Sequence, residues 1–231
     1  MRAWVESAPS GMPVHRLGEG GERGGVVLIS EVWGVDEALL GWARRLVEDD
    51  FTVAVPDLWW RHGGVPALGS SAEVSAAVGR LDDGTTLRDV AAALALLPRD
   101  RPRVAMGFCV GGLYARLASA ALPGLAAAVE FYGRIVYPTL SAEKPAQPLD
   151  LLPGRACPLL CHFGELDPIA PPHHVDELER RLAGQALPGR VFRYPGVGHG
   201  FMNATRPGWD AAASELAWQR TQRFLDEALP A

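Results

Sequence analysis

The stretch Gly107-Phe108-Cys109-Val110-Gly111-Gly112 decides the fold that we predict for this chain. It follows an apolar run at 104–106 and precedes a helix-like run at 113–121. A G-x-C-x-G pattern between a strand and a helix is typical of a nucleophile elbow with sulfur in place of oxygen. The glycines are needed because strand and helix pass closely and the backbone at the tip is strained. The pattern predicts an exposed Cys109 thiol at a helix N-terminus, whose dipole favours a thiolate. A buried free cysteine in a glycine-rich turn is the alternative.

Length and composition indicate a globular α/β protein. The chain has 231 residues, of which 48% are hydrophobic, enough for a core without metals or disulfides. We interpret residues 1–231 as a single domain. The net charge of −5 is spread along the chain without a basic stripe, so no nucleic-acid partner is expected. Residues 1–10 do not resemble a secretory signal and no apolar run reaches about 20 residues, so we expect a cytoplasmic location and no membrane contact.

The three cysteines are interpreted as reduced thiols, because their number is odd and no export signal precedes them. Cys157 and Cys161 lie in one apolar run that we predict as a strand. A strand would separate them by roughly 13 Å, which is too far for a disulfide. His162 would point to the opposite face from Cys161, so this pair does not indicate a metal site. We expect neither a metal nor a cofactor.

Apolar runs alternate with amphipathic stretches, which predicts a mostly parallel, doubly wound sheet with helices on both faces. The predicted strands are 26–30, 51–55, 104–106, 125–132, 159–163 and 191–194. The predicted helices follow Asp36 and Pro172 and otherwise cover 87–97, 113–121 and 209–229. Residues 61–83 and 134–158 are predicted as loops above the strand ends, and residues 4–16 as a peripheral hairpin. Glu130, inside a predicted strand, is expected to have a buried partner.

Two further polar residues follow predicted strands in the way that Cys109 does. Asp167 comes after the strand 159–163 and His199 after the strand 191–194. Because the carboxyl ends of parallel strands meet at one edge of a sheet, we expect the three side chains to lie together. A thiol nucleophile needs a base and the base needs an orienting acid, and the order Cys, Asp, His matches hydrolase triads on such sheets. Taken singly, Asp167 could be a turn residue and His199 a loop residue without a role.

Several motifs, taken in order, resemble the dienelactone hydrolase family of the α/β-hydrolase fold. They are Glu31-Val32-Trp33-Gly34, Pro56-Asp57-Leu58, Gly107-Phe108-Cys109-Val110-Gly111-Gly112, Gly164-Glu165-Leu166-Asp167-Pro168, and Gly198-His199-Gly200-Phe201 with Arg206-Pro207 beyond it. The similarity extends from Trp4 to Leu225, nearly the whole chain. The resemblance implies the α/β-hydrolase fold.

The resemblance also implies a role for each matching residue. Cys109 would attack an ester carbonyl, His199 would carry the proton, and Asp167 would orient His199. The backbone N–H groups of Val110 and Val32 would form the oxyanion hole. Together these roles describe an acyl-enzyme mechanism on a Cys-His-Asp triad.

Glu31 matches the family's acid beside the nucleophile. The resemblance implies that Glu31 contacts the resting thiol of Cys109 and helps to form the thiolate when substrate arrives. An ionised acid next to a thiol disfavours the thiolate, because the two charges repel each other. A salt bridge at the strand end is the alternative interpretation of Glu31.

Substrate recognition departs from the family pattern. Its best-known members clamp a substrate carboxylate between two arginines, which suits a bidentate fork. Arg206 is the candidate after the histidine, whereas the segment 70–77 contains no arginine and Arg61 lies outside it. Trp59 and Trp60 could instead form an apolar pocket wall, or pack elsewhere. The residues that we expect around the substrate are Arg206, Trp59, Trp60, Arg61 and Phe201.

These patterns predict a thiol-dependent hydrolase of small carboxylic esters or lactones. Two alternatives remain open: a broad carboxylesterase or thioesterase acting on uncharged substrates, and a non-catalytic ligand-binding or redox-responsive α/β protein. The expected partner is a small-molecule ester or lactone, and we expect a monomer or a weak homodimer.

Overall fold

An eight-stranded sheet runs through the protein, which we describe from a computed structural model covering residues 2–229. The strands are β1 (Ala3–Ser7), β2 (Pro13–Leu17), β3 (Gly24–Ile29), β4 (Phe51–Pro56), β5 (Arg103–Phe108), β6 (Ala127–Phe131), β7 (Leu159–Gly164) and β8 (Gly189–Tyr194). The helices are α1 (Glu37–Glu48), α2 (Ser71–Arg80), α3 (Asp83–Leu94), α4 (Val110–Ala121), α5 (Pro172–Ala183) and α6 (Ala211–Ala228). Two 3₁₀ helices cover Trp60–His62 and Pro148–Gly154.

The sheet is mostly parallel, with the strand order β1-β2-β4-β3-β5-β6-β7-β8. Strands β3 to β8 run in the same direction, and the hairpin β1–β2 joins them antiparallel along β4. The predicted doubly wound sheet and the predicted hairpin are therefore confirmed. The carboxyl ends of β3, β5, β6, β7 and β8 lie at one edge, where parallel sheets bind ligands.

Helices cover both faces of the sheet and divide the core into two parts. Helices α1 and α6 pack on one face, around residues such as Leu46 and Trp218, whereas α2 to α5 pack on the other, around residues such as Leu113. Helix α1 begins where the sequence predicts, because the Asp36 carboxylate accepts a hydrogen bond from the Leu39 N–H at 2.9 Å. Among the described helices, none is long and apolar enough to cross a bilayer.

The prediction of a loop over 61–83 is wrong, because helix α2 lies within this segment. The Ser70 hydroxyl accepts a hydrogen bond from the Glu73 N–H at 3.3 Å, and the Glu73 carboxylate accepts one from the Gly69 N–H at 2.8 Å. The Ser-x-x-Glu spacing is that of a capping box, although Glu73 reaches Gly69, one residue before the N-cap Ser70. This spacing is a helix-start signal that the small residues around it obscure. The segment 134–158 is irregular apart from the second 3₁₀ helix.

Two predictions about buried polar groups are confirmed. Glu130 in β6 pairs with Arg116 of α4, whose Nη1 lies 2.7 and 2.9 Å from the two carboxylate oxygens. Cys161 and His162 point to opposite faces of β7, since Cys161 lies in the core under α2 to α5 and His162 hydrogen-bonds Thr221 of α6.

All three cysteines are free thiols. No group of residues suited to holding a metal ion is found in the described part of the chain.

Candidate active site

The turn predicted as a nucleophile elbow has the strained backbone that the sequence predicts. Cys109 lies between β5 and α4 with φ 54° and ψ −117°. A Cβ atom at Gly107 would lie 2.2 Å from the carbonyl oxygen of Gly111, and a Cβ atom at Gly111 would lie 2.3 Å from that of Ile29. Glycine is therefore required at both positions, and the close packing fixes the Cys109 backbone at the carboxyl edge of the sheet.

The three predicted triad side chains form one hydrogen-bonded series. Nε2 of His199 lies 3.2 Å from Sγ of Cys109, and Nδ1 donates to Oδ2 of Asp167 at 2.8 Å. The other oxygen of the buried Asp167 accepts from the backbone N–H of Ile169 at 2.7 Å and of Ala170 at 3.3 Å. One imidazole nitrogen thus faces the thiol, and the other is fixed by an acid that the backbone itself orients.

The surroundings of His199 favour its protonated form. Burial lowers the pKa of His199, but the charges of Cys109 and Asp167 and the hydrogen bonds to both raise it by more. The net result is a pKa well above the usual value for histidine. A protonated imidazole beside the sulfur stabilises a thiolate, which is the reactive form of cysteine.

Two backbone N–H groups at this edge are available to an oxyanion. Val110 is the first residue of α4, so its N–H has no acceptor within the helix. Val32 lies just after β3, and neither N–H has a hydrogen-bond partner in the described part of the chain. The close contact of Gly111 with the carbonyl oxygens of Ile29 and Ser30 brings the start of α4 against the end of β3. The arrangement is suited to stabilising a negative oxygen.

Glu31 lies just beyond β3, and both of its carboxylate oxygens accept hydrogen bonds. The Tyr132 hydroxyl donates to Oε1 at 2.9 Å, and the Asn203 amide donates to Oε2 at 2.6 Å. Burial raises the pKa of Glu31, and these two hydrogen bonds partly offset the rise. The expected contact of Glu31 with the resting thiol is not among the described hydrogen bonds, because Tyr132 and Asn203 occupy the carboxylate and the Cys109 sulfur pairs with His199.

Tyr132 and Asn203 belong to this site although the sequence motifs did not point to them. Tyr132 is fully buried with φ 44°, and its ring meets the His199 ring edge-on at a centroid distance of 5.0 Å. It directly follows β6, as Cys109 follows β5, and this position at a strand end was the available signal. Asn203 lies four residues after His199 and carried no comparable signal.

A cavity of about 670 Å³ opens beside Cys109 and His199, a volume suited to a small organic molecule. Its lining comes from α2, the start of α4, the loop after β7 and the irregular segment after β6. Besides His199, the lining contains two basic side chains, Arg134 and Lys144. The apolar side chains include Val74, Val78, Leu113 and Ile169.

Three of the residues expected around the substrate, Trp59, Trp60 and Arg61, lie outside the cavity lining. Trp59 is fully buried in the core. Trp60 donates Nε1 to Asp89 at 3.2 Å, and Arg61 pairs with the same carboxylate at 2.8 Å. None of these three side chains lines the cavity, because Trp59 packs in the core and the other two contact Asp89 of α3.

Arg206 and Phe201 also lie outside the cavity lining. The guanidinium carbon of Arg206 lies 3.8 Å from the ring centre of Trp33, a cation–π contact. Phe201 is fully buried, with its ring centroid 5.1 Å from those of both Tyr132 and Tyr194. Arg206 thus packs on Trp33, and Phe201 packs against Tyr132 within the core, so the expected contacts of both residues with substrate stay predictions.

Comparison with known proteins connects this site to one family. A model of the dienelactone hydrolase family matches residues 17–229. A candidate carboxymethylenebutenolidase of Escherichia coli O157:H7 is 30% identical over 212 residues, which are 87% of this chain and 76% of the relative. A candidate 2-oxo-3-(5-oxofuran-2-ylidene)propanoate lactonase of Bradyrhizobium sp. is 30% identical over 206 residues, 87% of this chain and 82% of the relative.

The fold has close structural counterparts. The crystal structure of a candidate dienelactone hydrolase from Klebsiella pneumoniae subsp. pneumoniae MGH 78578 superposes with a TM-score of 0.89 at 24% identity, covering 97% of this chain and 98% of that one. The sheet and the sharp turn at Cys109 are those of the α/β-hydrolase fold. Within that class, the chain belongs to the dienelactone hydrolase family and is a hydrolase of the dienelactone hydrolase type. The resemblance found in the sequence motifs is confirmed.

Proposed function

We propose that the protein is a thiol-dependent hydrolase of small carboxylic esters or lactones. The hydrogen-bonded series Cys109–His199–Asp167, which opens on a cavity of about 670 Å³, carries this proposal. The hydrogen bonds link a thiol, an imidazole and a carboxylate in the order that covalent catalysis would require of a nucleophile, a base and an orienting acid. Because its pKa is raised, His199 carries a proton that it can donate to a leaving group.

In the first half of the proposed reaction, the Cys109 thiolate attacks the substrate carbonyl carbon. A C–S bond forms and the carbonyl oxygen becomes negative, stabilised by the N–H groups of Val32 and Val110. The ester C–O bond then breaks, and protonated His199 gives its proton to the leaving oxygen. A thioester on Cys109 and a neutral His199 remain.

In the second half, a water molecule hydrolyses the thioester. His199 takes a proton from the water, and the water oxygen attacks the thioester carbonyl carbon. The C–S bond breaks, the carboxylic acid product leaves, and the Cys109 thiolate again faces a protonated His199. Asp167 accepts the hydrogen bond from Nδ1 of His199 throughout and so keeps that nitrogen as the donor.

Glu31 is proposed to control the nucleophile. Its carboxyl group is buried, and His199 lies close enough to lower the Glu31 pKa while burial raises it. An ionised Glu31 repels a thiolate, so it disfavours the reactive form of Cys109 in the absence of substrate. Tyr132 links the two parts of the site, since it donates to Glu31 and packs on His199.

A second candidate function is hydrolysis of uncharged esters or thioesters. The positions of Arg206 and Arg61 favour it, because neither arginine lines the cavity as a carboxylate clamp would require. Arg134 is the opposing observation: it lines the cavity and forms no ion pair in the described part of the chain, so it can receive an anionic group. The lactonase relative acts, by its name, on a propanoate, which makes a carboxylated lactone a fitting test substrate.

A substrate panel tests the proposal. The native protein and Cys109→Ala are compared on p-nitrophenyl acetate, on a neutral butenolide and on a carboxylated butenolide. Turnover by the native protein that Cys109→Ala lacks supports the thiol hydrolase, and the ratio between the two butenolides separates the two candidate functions. Equal rates for both proteins on every substrate would contradict hydrolysis by Cys109 and favour a ligand-binding protein.

A further inference from the structure

The irregular segment 134–147, called the strap below, forms much of the cavity lining. It leaves the sheet after β6 and ends at the second 3₁₀ helix. The strap residues in the lining are Arg134, Tyr137, Pro138, Thr139, Ser141, Glu143 and Lys144. A segment without helix or strand hydrogen bonds depends on side chains to fix its position.

Lys144 is the single lysine of the sequence, and it is buried. Its Nζ donates to Oδ1 of Asp83 and to the Tyr114 hydroxyl, each at 2.7 Å. Burial lowers the pKa of Lys144, and the hydrogen bond and charge of Asp83 counteract that effect. A lone buried cation is costly to desolvate, so this position requires the carboxylate beside it.

Asp83 connects the strap to helix α3 through several contacts. Its carboxylate accepts from the Tyr137 hydroxyl at 2.9 and 3.0 Å, in addition to Lys144. Its backbone N–H donates to the Glu143 carbonyl at 2.9 Å. Three strap residues therefore converge on one residue in the first turn of α3.

The other end of the strap is fixed from α4. Arg116 donates from Nη2 to the carbonyl oxygen of Arg134, while its Nη1 pairs with Glu130. Tyr114, the second partner of Lys144, lies on the same helix. Helix α4 begins next to Cys109, so the helix that presents the nucleophile also carries contacts to both ends of the strap.

We infer that Lys144 is a positioning residue: its ion pair with Asp83 fixes the strap relative to Cys109 and thereby limits the size of the group that reaches the thiol. The part of this inference that concerns acyl groups rests on the proposed function. The part that concerns access to the thiol does not, because alkylation of Cys109 needs no hydrolysis. Cys157 and Cys161 are buried and do not compete for reagent.

The test compares two neutral maleimides that share one reactive group, N-ethylmaleimide and the larger N-(1-pyrenyl)maleimide. Their second-order rate constants with Cys109 are measured for the native protein, Lys144→Met and the control Arg44→Met, which breaks an exposed ion pair with Glu37. Lys144→Met should raise the pyrenyl-to-ethyl rate ratio by about tenfold, the scale of one hydrogen bond to a charged group. Arg44→Met should leave the ratio unchanged.

Two further variants keep the inference testable if Lys144→Met does not fold. Lys144→Met combined with Asp83→Asn removes both charges, and Tyr137→Phe removes one hydroxyl from Asp83. Each should raise the ratio, Tyr137→Phe by the smaller factor. A folded variant of either kind with a lowered Tm and the native ratio overturns the inference, since that result describes a structural ion pair.

Ester kinetics extend the test to the acyl group. For Lys144→Met, KM for a long-chain p-nitrophenyl ester should change by a larger factor than KM for p-nitrophenyl acetate. Equal changes with both esters would contradict control of size by the strap. A native protein that hydrolyses neither ester would contradict the proposed function alone, because the maleimide ratio would still decide the inference about Lys144.

Discussion

The amide of Asn203 donates a 2.6 Å hydrogen bond to the carboxylate of Glu31, and this contact joins the loop after β8 to the end of β3. The same carboxylate accepts from Tyr132, which packs on His199. Glu31 is therefore connected to His199 through the ring of Tyr132 and not through the sulfur of Cys109. The effect of Glu31 on the reactivity of Cys109 can therefore be measured with a variant of Glu31.

Replacing Glu31 with glutamine should alter thiol reactivity and turnover in opposite directions. Glu31→Gln removes a charge that repels the thiolate but keeps the shape, so alkylation of Cys109 by iodoacetamide should speed up at neutral pH. Ester turnover should fall if the acid takes part in activation by substrate. Slower alkylation would mean that Glu31 acts as a base in the resting state, and unchanged reactivity with lower stability would describe a structural acid.

Cys109 should be the one thiol that matters for activity. Iodoacetamide should abolish hydrolysis with one label per chain, and Cys109→Ala should lower kcat by about a thousandfold or more, because a triad acts as a unit. Mass spectrometry locates the label, and substrate should protect the site. Cys157→Ala is the matched control, since Cys157 is buried and burial raises its pKa to about 11. Full activity after alkylation of Cys109 would refute the role assigned to this thiol.

Arg134, not Arg206, should govern any preference for anionic substrates. Arg134→Leu should cost about 1–3 kcal/mol in kcat/KM with a carboxylated butenolide, the scale of a hydrogen bond to a charged group, and little with a neutral one. Arg206→Leu should affect both substrates equally and should lower stability by about 0.5–1 kcal/mol through loss of the Trp33 contact. A loss with Arg206→Leu that is confined to the carboxylated butenolide would instead support the substrate contact that the sequence predicts for Arg206.

His162 should make folding stability depend on pH in the acidic range. Burial, with a smaller contribution from the charge of Arg220, lowers the His162 pKa to about 3. The folded state therefore keeps His162 neutral, whereas the unfolded chain protonates it near pH 6.5. Above pH 6.5 the group is neutral in both states and does not affect the free energy of unfolding. As the pH falls from 6.5 toward 3, only the unfolded chain takes up the proton, so the free energy of unfolding decreases by about 1.4 kcal/mol for each pH unit.

Urea unfolding at several pH values between 6.5 and 4.5 measures this dependence. His162→Asn should lower the free energy of unfolding at pH 7, because the side chain stacks on Phe131 and hydrogen-bonds Tyr194. It should also reduce the slope of that free energy against pH by up to about 1.4 kcal/mol per unit. An identical slope in the two proteins would show that His162 does not titrate on unfolding.

The sequence was most informative where backbone geometry restricts residue type. The glycines around Cys109 predicted the elbow, because a close helix–strand approach excludes any side chain at Gly107 and Gly111. The positions of Asp167 and His199 followed from parallel topology, which brings strand ends to one edge. These features depend on local geometry and strand order, and both can be inferred from a linear pattern.

The residues around the cavity were not predictable in the same way. Trp60 and Arg61 turn to Asp89, and this contact joins a 3₁₀ turn to a helix more than 25 positions away. Arg134 and Lys144 enter the lining from a strap without periodicity, whose position depends on Asp83 and α4. Tertiary contacts of this kind produce no regular spacing of residues in the sequence. The aromatic and charged residues near the sequence motifs therefore did not indicate which residues line the cavity.

The two attachments of the strap leave an exposed stretch, residues 138–142, between them. Arg116 fixes the chain before this stretch and Asp83 fixes it on both sides, so changes in its length or composition need not be transmitted to the nucleophile. Loop exchange at 138–142 is therefore a route to variants with a reshaped entrance and an unaltered reacting centre. Because residues 138–142 can be exchanged while the residues around Cys109 stay the same, this protein is suitable for directed evolution of ester selectivity.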